Sequence, residues 1–250
     1  MPGRPIGSPA FWVAIIMIKV DSLTAGYGKL EILQDLSLAF AEGQFSALLG
    51  PNGSGKSTLM KAIMGINTIF GGSIQLEGRE LVGLRTEDIS KMGIAYVPQR
   101  ENIFTEMTVL ENLQLGLRVL PRDQRQGALD ELLELFPILG RRKSQKAGLL
   151  SGGEHQMLAI AIAWLSQPSI MLLDEPSAGL APAIAGDVFR VLQDLRQQGI
   201  TLVVVEQNAR RVLQYCDYAF VLREGQLAFE GSAEDCLNDE ETIKGYLGVH

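Results

Sequence analysis

The stretch Gly50 to Ser57, GPNGSGKS, constrains this chain more than any other. It fits the pattern Gly, four residues, Gly-Lys-Ser/Thr, in which glycines let successive backbone N–H groups turn inward around phosphate oxygens. Its flanks fit as well. Gln44 to Leu49 reads as a short buried strand, and Thr58 to Gly65 reads as a helix, so the loop joins a strand to a helix N-terminus whose partial positive charge favours an anion. A chain built this way is expected to be an α/β protein with a phosphate-loop core. Gly50, Pro51, Asn52, Gly53, Ser54, Gly55, Lys56, Ser57 and Thr58 would surround a nucleotide, Lys56 reaching the β and γ phosphates and Ser57 a magnesium ion.

Composition narrows the possibilities. At 250 residues with 46% hydrophobic content, the chain can bury a full core. Its longest apolar runs, Ala10 to Ile18 and Leu158 to Leu165, fall well short of the roughly 18 residues of a membrane-spanning helix. Contact with a membrane would therefore be indirect. A net charge of −7, without a dense Lys/Arg stripe, points away from nucleic acid. Cys216 and Cys236 lack metal-ligand spacing and the density of a secreted disulfide framework, which suggests free thiols. Residues 1–16 precede Met17 and read as an extension, either a loose segment or a mis-set start; the patterned domain runs from 17 to 250.

From Ile18 to Phe40 the chain reads strand, turn, strand, and Gly71 to Gly78 adds a further short strand, together a small antiparallel sheet. Tyr27, between Gly26 and Gly28, is exposed enough to stack on a flat ring, although an isolated tyrosine is more often packing. Met92 to Gln99 is a buried strand that delivers Gln99 to its carboxyl end, where α/β folds place ligand contacts. About residues 100–150 the character turns helical: Thr108 to Glu111 forms a capping box, and Leu129, Leu132, Leu133 and Phe136 make one apolar face. This block reads as a helical subdomain inserted in the core, with Arg141 to Lys146 as a solvated linker.

Ser151 is a candidate N-cap for an apolar helix, with Gly152 and Gly153 exposing its first amides as a second anion site. Ser169 to Pro176 is a buried strand ending in Asp174 and Glu175. Two carboxylates at the mouth of an apolar strand call for a cation, which makes Asp174 a magnesium ligand and leaves Glu175 to act as a general base toward water. A helix from Pro182 to Gln198 follows, with Ile184, Val188, Val191, Leu192 and Leu195 as its apolar face. Ile200 to Asn208 is another buried strand with polar residues at its carboxyl end. A hairpin turning at Glu224-Gly225 and a short terminal helix complete the chain.

The order of phosphate loop, Gln99, LSGGE (Leu150 to Glu154), LLDE and VEQ resembles the ATPase subunits of the ATP-binding-cassette superfamily, over about Ile18 to Leu247. That resemblance implies a mostly parallel sheet, a small antiparallel β subdomain and an inserted helical subdomain, with ATP and Mg2+ as ligands. It implies that Tyr27 stacks on adenine, that Gln99 senses the γ phosphate and magnesium, and that Ser151, Gly152, Gly153 and Glu154 meet the ATP held by a second, head-to-tail subunit. Two positions depart from the common pattern: Ala181 stands where the loop after DEP usually ends in Asp, and Gln207 where a histidine usually meets the γ phosphate. Glutamine donates a hydrogen bond but carries no charge, so hydrolysis with Glu175, Lys56 and Gln207 is expected to be slower than with histidine.

DEPSAGLAP, VEQNA, FTEMTVLENL and SGGEHQMLAIA further resemble the ATPases of bacterial uptake systems for branched-chain and other neutral amino acids. In those systems two unlike ATPases pair at the cytoplasmic face of the inner membrane, beneath two unlike permease subunits fed by a periplasmic binding protein. The alternatives are a urea or other small-solute importer, and a soluble cassette ATPase that transports nothing.

Overall fold

A computed structural model describes residues 15–99 and 102–239. Alternating apolar positions open the chain as a long hairpin, β1 (Ile16–Tyr27) against β2 (Leu30–Ala41), antiparallel. β1 includes Ile16, a residue expected to belong to the extension, because its backbone pairs with Ala41. Residues 1–14 lie outside the described residues.

β3 (Phe45–Leu49) enters the phosphate loop, and α1 (Lys56–Ile63) leaves it, beginning two residues before the expected start at Thr58. β4 (Thr68–Leu76) and β5 (Arg79–Glu80) extend the hairpin into a four-stranded antiparallel sheet of order β2-β1-β4-β5. After α2 (Thr86–Lys91) comes β6 (Ile94–Val97). The helical segment follows as α3 (Val109–Gly116), α4 (Arg125–Leu135) and α5 (Pro137–Arg142). The core resumes with α6 (Gly152–Trp164), β7 (Ile170–Asp174), α7 (Pro182–Gln197), β8 (Thr201–Val205), α8 (Ala209–Val212), the hairpin β9 (Tyr218–Arg223) and β10 (Gln226–Ser232), and α9 (Ala233–Asn238).

The second sheet has six strands in the order β10-β9-β3-β8-β7-β6, parallel throughout except for the β9–β10 hairpin. β3, β7 and β8 are buried at every position, as strands covered on both faces must be. Their period of two sorts the side chains. Phe45, Ala47, Leu49, Met171, Leu173, Leu202 and Val204 join a core with α6, α7 and the helical segment. Leu48, Ile170, Leu172, Val203 and Val205 face the other way, into a core shared with α1 and the antiparallel sheet. The sheet is thereby held rigid between two apolar layers, with its carboxyl edge open.

The helical segment is tied down more firmly than its sequence suggests. Thr108 caps α3 reciprocally with Glu111, as expected. The stretch read as a solvated linker, Arg141 to Lys146, differs from that expectation: Arg141 and Arg142 close α5, and the carbonyls of Lys143 and Gln145 accept from the N–H groups of Leu110 and Val109. It satisfies two of α3's orphan donors with backbone alone, leaving the Glu111 N–H to the Thr108 cap. Ile184 also departs from the expected buried face of α7, since it lies in the first turn and is exposed, while Ala185, Val188, Phe189, Leu192 and Leu195 are buried.

Candidate active site

Strands β3, β6, β7 and β8 run parallel, so the residues that follow them gather along one edge of the sheet. The phosphate loop follows β3. Gly50, Gly53 and Gly55 adopt positive φ, at 143°, 81° and 102°, values that side chains other than glycine's rarely tolerate. Inside the turn Lys56 is 5% exposed and donates to the carbonyls of Gly50 at 2.8 Å and Pro51 at 2.9 Å, which leaves the third ammonium proton to spare. The Ser54 hydroxyl is buried without a partner. Burial lowers the Lys56 pKa, and the negative charges of Glu175, Asp174 and Glu206 act against that. A buried ammonium with an unused proton beside an orphaned hydroxyl fits an anion such as a phosphate. Pro51, Asn52 and Gly53 form the exposed rim of the loop, whereas Thr58 is buried and gives its carbonyl to Asn67 at 3.0 Å.

Ser57 donates to Asp174 at 2.9 Å, and Tyr96 donates to the other oxygen of Asp174 at 3.3 Å. Burial raises the Asp174 pKa; the Ser57 hydrogen bond opposes the shift, the charge of Glu175 adds to it, and Tyr96 opposes it again. Among the described residues no three acidic, histidine or cysteine groups cluster as a metal cage. An oxygen pair such as Ser57 and Asp174 instead suits magnesium, a hard cation that keeps waters and leans on substrate phosphates.

Glu175 has φ of 50° and turns its carboxylate between two amides. Gln99 donates to one oxygen at 2.7 Å and Gln207 to the other at 2.6 Å. With its amide nitrogen engaged there, Gln99 keeps its amide oxygen for a cation. Tyr27 stands apart on the hairpin, 44% exposed, with the Lys61 ammonium 5.6 Å from its ring centroid. The start of α6 closes hydrogen bonds of its own. Ser151 accepts from the Glu154 N–H, and Glu154 accepts from the Ser151 N–H at 2.9 Å and from Arg142 at 3.1 Å. Glu154 is thus engaged in the cap, and Ser151 and Gly152 are exposed. The structure therefore brings Lys56, Ser57, Gln99, Asp174, Glu175 and Gln207 together; at the start of α6, Gly153 is buried and Gly152 lines a pocket that Gln99 also lines.

The family model described as "ABC transporter" matches residues 33–178, more than half of the chain. The chain is 42% identical to the high-affinity branched-chain amino acid transport ATP-binding protein BraG of Pseudomonas aeruginosa, over 93% of this chain and 100% of that one. The chain belongs to the ABC transporter family. It is 39% identical to the probable branched-chain amino acid transport ATP-binding protein LivF of Archaeoglobus fulgidus, over 93% of this chain and 99% of the other. A dimeric ATP-binding cassette solved in a post-hydrolysis state with ADP and Pi superposes with a TM-score of 0.76 at 26% identity, covering 87% of this chain and 99% of that one.

As an ABC ATPase the protein binds and hydrolyses ATP, and the fold is that of the family's cassettes. No helix among the described residues is long and apolar enough to cross a membrane. Two residues of this cassette's mouth were not singled out by sequence reasoning. Tyr96 was one apolar-looking position in a buried strand. Glu206 follows β8, a strand buried at every position, and is itself 3% exposed; a carboxylate after the apolar run Leu202 to Val205 is the signal that marks it.

Proposed function

We propose that the chain is the ATP-hydrolysing subunit of an importer for branched-chain or other neutral amino acids. The reading rests on one observation above all: the full-length similarity to an ATP-binding protein named for that transport. DEPSAGLAP and VEQNA, read in the sequence, point the same way. Residues 17–250 are taken as one ATPase domain, with about 100–150 as its helical subdomain.

Within the domain, Gly50 to Thr58 cradle the polyphosphate, and Lys56 turns its spare proton to the β and γ phosphates. Ser57, Asp174 and the amide oxygen of Gln99 would hold magnesium, which when bound neutralises charge on those phosphates. Glu175 takes a proton from a water whose oxygen attacks the γ phosphorus as the bond to the β-phosphate oxygen breaks, giving ADP and phosphate. Gln99 and Gln207 hold the carboxylate in line; they supply donors, not charge. Tyr27 would stack on adenine. Ser151, Gly152, Gly153 and Glu154 belong to the other half of the site, meeting ATP bound by a second ATPase subunit, so that ATP closes the pair and hydrolysis opens it. The physiological partner is an unlike ATPase, although like chains can pair in isolation. Both lie at the cytoplasmic face beneath permease subunits supplied by a periplasmic binding protein.

Glu175→Gln tests the motor. In Mg-ATP that variant should accumulate as a dimer with phosphate release abolished, and a variant that stays monomeric would sink the closure mechanism. Uptake of labelled leucine in a strain lacking this subunit tests the solute class. Undiminished leucine uptake beside lost urea uptake would replace the amino-acid reading with its closest alternative.

A further inference from the structure

Glu206 is a buried carboxylate to which the mechanism above gives no task. It sits immediately after β8, and its own N–H donates to the Leu48 carbonyl at 3.2 Å, which anchors it beside the entrance to the phosphate loop. One of its oxygens accepts from the Ser177 N–H at 2.9 Å and the other from the Gln207 N–H at 3.3 Å. Ser177 belongs to the loop after Glu175 that carries Leu180 and Ala181 toward α7; Gln207 holds Glu175 itself. A single side chain thus bonds to the backbone on both sides of the general base. It also lies within electrostatic reach of Lys56 and of Glu175. Burial pushes the Glu206 carboxyl above its ordinary range, with Ser177 and the Gln207 backbone opposing. An ion kept in so unfavourable a place needs a compensating role.

We propose that Glu206 is a positioning residue for hydrolysis: its carboxylate clamps Gln207 to the loop at Ser177 so that Glu175 stays aligned. The clamp acts on the general base and not on the phosphate cradle. Loosening it therefore lowers rate and leaves nucleotide affinity in place, which loss of structure alone does not do.

The inference rests on the ATPase reading and is tested in the full chain. Glu206→Gln keeps the shape and one acceptor. It should lower kcat about tenfold, by misaligning a hydrogen bond to a charged group, with the Kd of a non-hydrolysable Mg-ATP analogue in calorimetry at the parent value. Glu206→Asp keeps the charge but shortens the reach; it should lower kcat with the analogue's Kd at the parent value. If Glu206→Gln fails to fold, Glu206→Asp decides alone on the same two readings. A kcat within twofold of the parent in the variant that decides, or affinity lost together with rate, overturns the proposal. A parent chain that neither binds nor hydrolyses Mg-ATP would instead sink the ATPase reading, whatever the variants do.

Discussion

At the scale of single residues, the Glu175 carboxylate is held on both oxygens by amides, which do not titrate in the physiological range. The parent rate should therefore show no imidazole limb between about pH 5 and 8. Gln207→His introduces a group with an ordinary pKa of about 6.5, raised by facing the Glu175 carboxylate. Its cationic form, present below that pKa, adds the positive charge toward the γ phosphate that glutamine lacks. The variant should therefore exceed the parent several-fold at about pH 6 and fall toward it as pH rises past 8. Initial rates of phosphate release across that range check this, and a variant no faster than the parent at acid pH refutes the explanation of Gln207. Two loop glycines give a second expectation. A Cβ on Gly50 would lie 2.2 Å from the Leu222 carbonyl oxygen, whereas one on Gly53 meets open space despite its φ of 81°. Gly53→Ala should cost only the backbone strain, about 1–2 kcal/mol, and Gly50→Ala more than 3 kcal/mol because backbone must shift. Urea unfolding ranks them; equal losses would deny the close approach.

At the scale of elements, the helices differ in how their first N–H groups are met. α3 and α6 carry full capping boxes; Thr108 with Glu111 is legible as one in the sequence, whereas at α6 the sequence marks Ser151 as the N-cap and the structure adds Glu154 as its reciprocal partner. The N-cap of α7 is Ala181, which offers no side-chain acceptor, so the helix's first donors lack the bond that Asp would provide. Ala181→Asp should stabilise the chain by about 1 kcal/mol, raising the urea midpoint with m unchanged. A midpoint that stays or falls would mean the loop around Leu180 and Ala181 cannot accept the cap geometry. What escaped the sequence at this scale has a common cause. The Arg141 to Lys146 segment secures α3 through the carbonyls of Lys143 and Gln145, and backbone acceptors leave no mark in residue type. Ile184 falls on the apolar stripe of α7 by spacing, yet it is exposed in the first turn, where its side chain lies over Gly153. Periodicity reports which side a residue takes, not whether a neighbour reaches that far. Asp174 and Glu175 were legible because a strand buried throughout cannot end in two carboxylates without a reason, and Glu206 obeys the same rule one strand over.

At the scale of the whole molecule, the order of the six-stranded sheet was the least legible property. β3, β7 and β8 are similar apolar runs, and nothing in them says that β3 lies between β8 and β9. That order decides the chemistry, since it sets the phosphate loop beside the ends of β8 and β7 and so beside Glu206, Asp174 and Glu175. It also brings three carboxylates within electrostatic reach of one buried ammonium, so that a cation would answer the carboxylates and phosphate the ammonium. Ligand should therefore stabilise the fold strongly. At one hundred times Kd a ligand bound only by the native state adds about 2.7 kcal/mol, which for a chain of this size is a Tm rise of roughly 5–10 °C. If the Ser151 to Glu154 surface of one chain also closes on ATP held by another, mass action adds a second term that one-chain binding lacks. For Glu175→Gln in saturating Mg-ATP, Tm should then climb further as protein concentration is raised tenfold, while without nucleotide it should not move. Ser151→Ala, which removes the exposed hydroxyl of that surface, should keep the ligand-induced rise and lose the concentration dependence. A Tm in Mg-ATP indifferent to protein concentration would show that this chain grips its nucleotide alone.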